Sequence, residues 1–189
     1  VNMLVTIFIS AVFYAQHKRL LLAGIDAKLR SVATLVHDTL PQGYHDRITG
    51  PESVSDDEFQ SIVERNNQLC VKLGLEYVWS LMVADGKIVF TTSTSPDKAT
   101  ANRKHARFFE LHSDPQLYTN TFATMQPTYM SSHDKWGDIR VALIPMLDAH
   151  GRKVLFGASV HLAEVNRQLH TVVWRALCLG LVVFVFSAA

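Results

Sequence analysis

Two uncharged apolar runs bracket this chain and restrict what it can be. Residues 1–15 read VNMLVTIFISAVFYA and residues 176–189 read ALCLGLVVFVFSAA, with no Asp, Glu, Lys or Arg in either. A helix that crosses a bilayer needs about 20 apolar residues, so each run is a few residues short of a span. Both stop at a chain end, and the first begins at Val1 rather than at a Met. The expectation is that each run is most of a transmembrane helix, residues 1–19 ending the first and residues 164–189 leading into the second. A buried core helix or, for the first run, the apolar part of a signal peptide are the alternatives. Tyr14 and Trp174 stand near the inner ends of the runs, where interfacial aromatics are common. Two spans at opposite ends would hold everything between them on one side of the membrane, expected to be outside the cytoplasm.

The intervening sequence excludes several function classes. Lys plus Arg number 18 against 17 Asp plus Glu, so the chain lacks the basic surplus of a nucleic-acid binder. A hydrophobic content of 48% excludes disorder for the chain as a whole. Cys70 and Cys178 have no CxxC spacing. Nine His occur without an HExxH pattern, and neither a GxSxG elbow nor a P-loop is present. No catalytic residue, metal site or cofactor is therefore expected.

Periodicity divides the rest. Leu22, Ile25, Leu29, Val32, Val36 and Leu40 follow one another at steps of three and four, which predicts one helical stripe ended by Pro41. Nothing between residues 15 and 20 breaks a helix, so the first run is expected to continue into this segment. Most of the stripe should pack on the domain's own sheet, although such steps also form a coiled-coil seam with a second subunit. Residues 44–54 read as a loop. Ser55 and Glu58 fit a capping box, in which hydroxyl and carboxylate both satisfy free amides. The helix that follows carries Phe59, Ile62, Val63, Asn66, Leu69, Cys70 and Leu73 on one face, and Gly74 stops it.

Strand signals begin at Leu75. Asp85-Gly86 between β-rich runs predicts a hairpin, with Leu81 opposite Phe90 and Trp79 opposite Thr92. His105, Phe108, Phe109 and His112 fall at helical steps, and Asp114-Pro115 should start a short helix. A short strand is expected at residues 128–132. Residues 138–147 and 153–162 are expected to pair around a four-residue loop, 148–151. A helix over residues 164–174 leads into the second apolar run. Helices and antiparallel strands in this order give an α+β class.

Two stretches, YVWSLMVADGKIVFTTS (residues 77–93) and IPMLDAHGRKVLFGASV (residues 144–160), together with the span–helix–helix–sheet–span order, resemble a single Cache domain. Such PAS-like, or PDC, domains are the extracytoplasmic sensors of bacterial transmembrane receptors. The resemblance covers residues 20–163. It implies a PAS-like five-stranded antiparallel sheet with a long N-terminal helix and a second helix packed on one face, flanked by transmembrane helix ends. It implies a small-molecule ligand, an inner-membrane location with the sensor periplasmic or extracellular, and signalling as a homodimer. It also implies a cytoplasmic output module beyond these residues, such as a histidine kinase, a diguanylate cyclase or a chemoreceptor signalling region. A structural or dimerisation domain that binds no small molecule is the alternative.

Strand pairing places the ligand. With a four-residue loop, Leu147 faces Arg152, Ala142 faces Gly157 and Arg140 faces Ser159. Alternation then puts Arg140, Ala142, Gly157, Ser159 and His161 on one face, with Val141, Leu143, Phe156, Ala158 and Val160 on the other. The first face is small and polar, and Arg140 offers a fork suited to a carboxylate ligand. Trp79, Thr92 and Thr94 join it from the first hairpin, Lys104 and His105 from the segment above the sheet, and Tyr129 from its far side. A register slip of one residue would invert each assignment.

Overall fold

The long stripe forms a single helix, α1, Asn2–Thr39, which ends just before Pro41. The computed structural model describes residues 2–95, 105–134 and 137–188. After α1 come a 3-10 turn at Pro51–Ser53, α2 (Asp56–Leu73), β1 (Tyr77–Ala84) and β2 (Lys87–Thr92). They are followed by α3 (Gln116–Thr124), β3 (Thr128–Asp134), β4 (Gly137–Leu147), β5 (Lys153–His161) and α4 (Leu162–Ala188). The chain divides into two compact units: residues 28–161, and residues 1–27 with 162–189.

The larger unit is a five-stranded sheet in the order β2-β1-β5-β4-β3, with every pair antiparallel. The sheet is the α+β, PAS-like architecture expected. Both faces are covered. On one, Phe59, Ile62 and Val63 of α2 pack with Met82, Val89 and the loop residues Tyr44, Ile48 and Val54. Leu29, Val32 and Val36 of α1 are buried, so this part of the stripe is core within its own unit. On the other face, Trp79, Leu81, Val141, Leu143 and Leu155 pack with Tyr118 and Phe122 of α3.

Local signals explain the element ends. Ser55 Oγ accepts the Glu58 amide at 3.3 Å and caps α2. The other half of the expected box does not form, because the Glu58 carboxylate pairs with Arg47. Gly74 closes α2 at φ 62°. Asp85 and Gly86 both take positive φ, 50° and 73°, the geometry of a two-residue primed turn that matches strand twist.

Three expectations are corrected. The loop between β4 and β5 holds five residues, because Leu147 pairs with Lys153 and not with Arg152. The Asp148 carboxylate accepts the His150 and Arg152 amides at 2.9 and 2.8 Å, which keeps Arg152 inside the turn. That single residue moves Arg140 opposite Val160 and Ala142 opposite Ala158. In β1 and β2, a bulge after Ser80 puts Thr92 opposite Ser80 rather than Trp79, while Leu81 still faces Phe90. Residues 105–112 are not helical. They lie along the outer edge of β2, with Phe109 donating to Phe90 O at 2.8 Å and His112 donating to Ile88 O at 2.9 Å. Phe109 at φ 62° turns the chain out of any helical course.

In the smaller unit, Val165, Leu169 and Ala176 of α4 are buried. Val5, Ile7, Phe8, Ile9 and Val12 of α1 are exposed, as are Trp174, Leu177 and Leu181 of α4. Among the described residues no helix is long and apolar enough to cross a membrane. The described residues of both terminal runs are helical.

Candidate functional site

Alternation along β1 sends Tyr77, Trp79 and Leu81 to the sheet face away from α2, and Ser80 and Met82 toward it. Trp79 lies directly opposite Gly157 of β5. A Cβ on Gly157 would fall 2.2, 2.4 and 2.7 Å from Cε2, Cζ2 and Cδ2 of the indole. Cε2 and Cδ2 form the ring-fusion bond, and a methyl can approach both that closely only from the ring face. The indole therefore lies flat on the sheet over Gly157, one π face down and the other turned outward.

Above this ring is a cavity of about 70 Å³, lined by Tyr77, Trp79, Phe90, Tyr118, two imidazoles, Ser93 and Thr94 among others. Its wall is a ring stack: His112 lies against Phe90 at 4.9 Å and meets the edge of Tyr118 at 4.5 Å. The Asp114 amide donates to His112 Nδ1 at 3.0 Å, which places the proton of the neutral ring on Nε2. His105 contributes the second imidazole. Two buried asparagines of α2 hold the segment that follows β2. Asn66 Nδ2 donates to Ser93 O at 2.9 Å and Asn67 Oδ1 accepts the Ser95 amide at 2.9 Å. Thr94 Oγ1 accepts the Val78 amide at 3.0 Å, so this hydroxyl anchors the strand end. The Trp79 indole N–H, in a residue 7% exposed, finds no acceptor among the described residues.

The predicted site residues divide. Trp79, Thr94 and His105 line the cavity. Ser159 is on the cavity side and its Oγ accepts the Tyr77 amide at 3.2 Å. Thr92 is buried, and its Oγ1 accepts from Ser80 Oγ at 2.9 Å instead of lining the cavity. Arg140 shares the other sheet face with Val160 and points to Ser131 Oγ of the neighbouring strand at 3.5 Å. The five-residue turn moved it there, and the carboxylate ligand drawn from its fork loses its anchor. Tyr129 pairs with Ala142 on that same face of the edge strand. Lys104 is outside the described residues. The sequence reading missed Phe90, Ser93, His112, Tyr118 and Ile139 as lining. Pairing Leu81 with Phe90 did signal a shared face, but nothing local predicts that His112 and Tyr118 meet above it.

A second polar cluster is buried on the opposite face. His45 Nε2 is 3.0 Å from Thr91 Oγ1 and 3.3 Å from Ser80 Oγ, and Tyr44 Oη donates to Thr91 O at 2.7 Å. Burial, helped by nearby His37, pushes the His45 pKa down to about 4. Burial also pushes the Tyr44 hydroxyl well above its ordinary value. Arg152 clips this loop to the β4–β5 turn. Its Nη2 donates to Asp46 O at 3.0 Å, its other guanidinium protons reach His45 O and Ile48 O, and Nε holds Asp148 at 2.6 Å. Burial alone would raise the Asp148 carboxyl, but the Arg152 amide, its guanidinium and the His150 amide outweigh that and hold it below the ordinary range.

No family profile and no curated protein matches the sequence. Solved structures do match in fold. The extracellular domain of vpHK1S-Z8, described as a histidine kinase, superposes with a TM-score of 0.52 at 12% identity, over 89% of this chain and 61% of that one. The ligand-binding domain of the Campylobacter jejuni chemoreceptor Tlp3, with 4-methylisoleucine bound, gives 0.49 at 10% identity over 90% and 61%. That of the Pseudomonas aeruginosa amino-acid chemoreceptor PctC, with GABA bound, gives 0.42 at 14% over 82% and 63%. The chain thus spans about three fifths of the length of these three structures. The likeness to the vpHK1S-Z8 extracellular domain is one of fold, and it agrees with the PAS-like architecture expected from the Cache resemblance.

Proposed function

We propose that this chain is the extracytoplasmic small-molecule-sensing domain of a bacterial transmembrane receptor. The observation that carries the reading is the cavity on the sheet face away from α2, lined also by His105, Ala106 and His112 and by Tyr118 of α3. A scaffold of rigid strands with a few polar groups among aromatic rings is the usual make-up of a small-ligand site. The solved domains of like fold include ones with amino-acid-type ligands bound, which agrees with a ligand of that size. In this reading the exposed apolar side chains of residues 5–12 and 174–181 face the membrane. The terminal helices then carry the ligand state to a kinase, cyclase or chemoreceptor module, with the receptor acting as a homodimer.

A thermal-shift screen of the purified chain against metabolite classes tests this. A ligand that binds only the folded state at 100 times its Kd stabilises by about 2.7 kcal/mol and raises the melting temperature. At least one class should do so, and Trp79→Leu should remove the effect. Silence across all classes would overturn the sensing reading in favour of an assembly domain.

A further inference from the structure

Resting on the sensing reading, we infer that the cavity takes a quaternary ammonium compound carrying an oxygen acceptor close to its cationic head. The lining is aromatic on several sides: the outward face of Trp79, then Tyr77, Phe90, Tyr118 and the stacked His112. Ring faces are electron-rich, and a cation within about 6 Å of a ring centre is attracted by the ring quadrupole. A quaternary nitrogen suits such a box, because it has no N–H to satisfy and little hydration to lose. Among the described residues the lining holds no Asp, Glu, Lys or Arg. An alkylammonium is attracted by the rings themselves and needs no fixed counter-charge.

Two further observations narrow the ligand. Its head must be small: about 70 Å³ is several times the roughly 10–15 Å³ that a single water requires, and too little for a large metabolite. Gly157 adds specificity, since it alone lets the indole lie flat and present a full π face. The Trp79 N–H, buried and with no acceptor among the described residues, asks the ligand for an oxygen. A hydroxyl or carboxylate oxygen a few bonds from the quaternary nitrogen meets that demand.

The test uses the purified 189-residue chain and calorimetry with three probes: choline, its uncharged isostere with carbon in place of the nitrogen, and propionate. Choline should bind, and the isostere should bind about thirtyfold more weakly, the size of a desolvated cation–π contact. Phe90→Leu, whose melting curve checks that it folds, should weaken choline severalfold and leave the isostere unchanged. Equal or tighter binding of the isostere overturns the cation assignment. So does propionate binding in the absence of choline binding, which leaves the sensing reading intact. If none of the three binds and the wider metabolite screen is also silent, both the assignment and the sensing reading fail.

Discussion

Replacing Gly157 with alanine tests the geometry of the site without reference to any ligand. The new Cβ would meet the Trp79 indole at 2.2 Å, where carbon atoms in contact sit at about 3.5–4.0 Å. The ring must rise by more than about 1 Å, or β5 must shift. Overpacking of this kind costs about 1–3 kcal/mol. The backbone of Gly157 is not in the left-handed region, so alanine also gains about 0.4–1 kcal/mol by restricting the unfolded chain. The net expectation is a loss of about 1–2 kcal/mol in urea denaturation. A risen ring also fills the cavity, so ligand affinity should drop with stability. The decisive comparison is Gly157→Ala made on a Trp79→Leu background. With no indole to strike, the alanine should be neutral or stabilising, giving a coupling energy of about 1–3 kcal/mol. Equal effects of Gly157→Ala in both backgrounds would refute the flat-indole reading.

Two further predictions concern the opposite face. The His45 pKa falls from 6.5 in the unfolded chain to about 4 in the fold, so the unfolded state alone takes up this proton between those values. Stability should therefore be fully present above pH 6.5 and fall as pH drops toward 4, by about 3 kcal/mol, with no further loss from this group below that. His45→Gln should flatten that part of a pH–denaturation series; an unchanged slope would show that His45 is not the group responsible. Arg152→Ala should cost about 2–3 kcal/mol, because charged donors to the carbonyls of His45, Asp46 and Ile48 are lost together. Arg152→Lys should recover less than half of it, since an ammonium cannot serve that fork. Hydrogen exchange at residues 45–48 should rise in both variants, and unaltered exchange would argue that the clip does not hold the loop.

Local chemistry determined much of this molecule. The steps of three and four in α1, the Ser55 cap, the Gly74 stop and the Asp85-Gly86 turn each act within a few residues, and each formed where its residues predicted. Strand alternation and the first hairpin pointed to Trp79 and Thr94, and the expected course of the segment above the sheet pointed to His105; all three line the cavity. What sequence could not decide was pairing between strands. Whether the β4–β5 loop holds four residues or five depends on Asp148 gathering the Arg152 amide and on Arg152 reaching back to the loop after α1, over a hundred residues away in the chain. A strand exposes a new face every residue, so that one choice carried Arg140 from the cavity to the other side of the sheet. The helical spacing of His105, Phe108, Phe109 and His112 likewise yielded to the free edge of β2, whose unpaired amides and carbonyls took residues 109–112 as a partner. The aromatic box above Gly157 exists only because that edge pairing, α3 and two central strands converge on one indole.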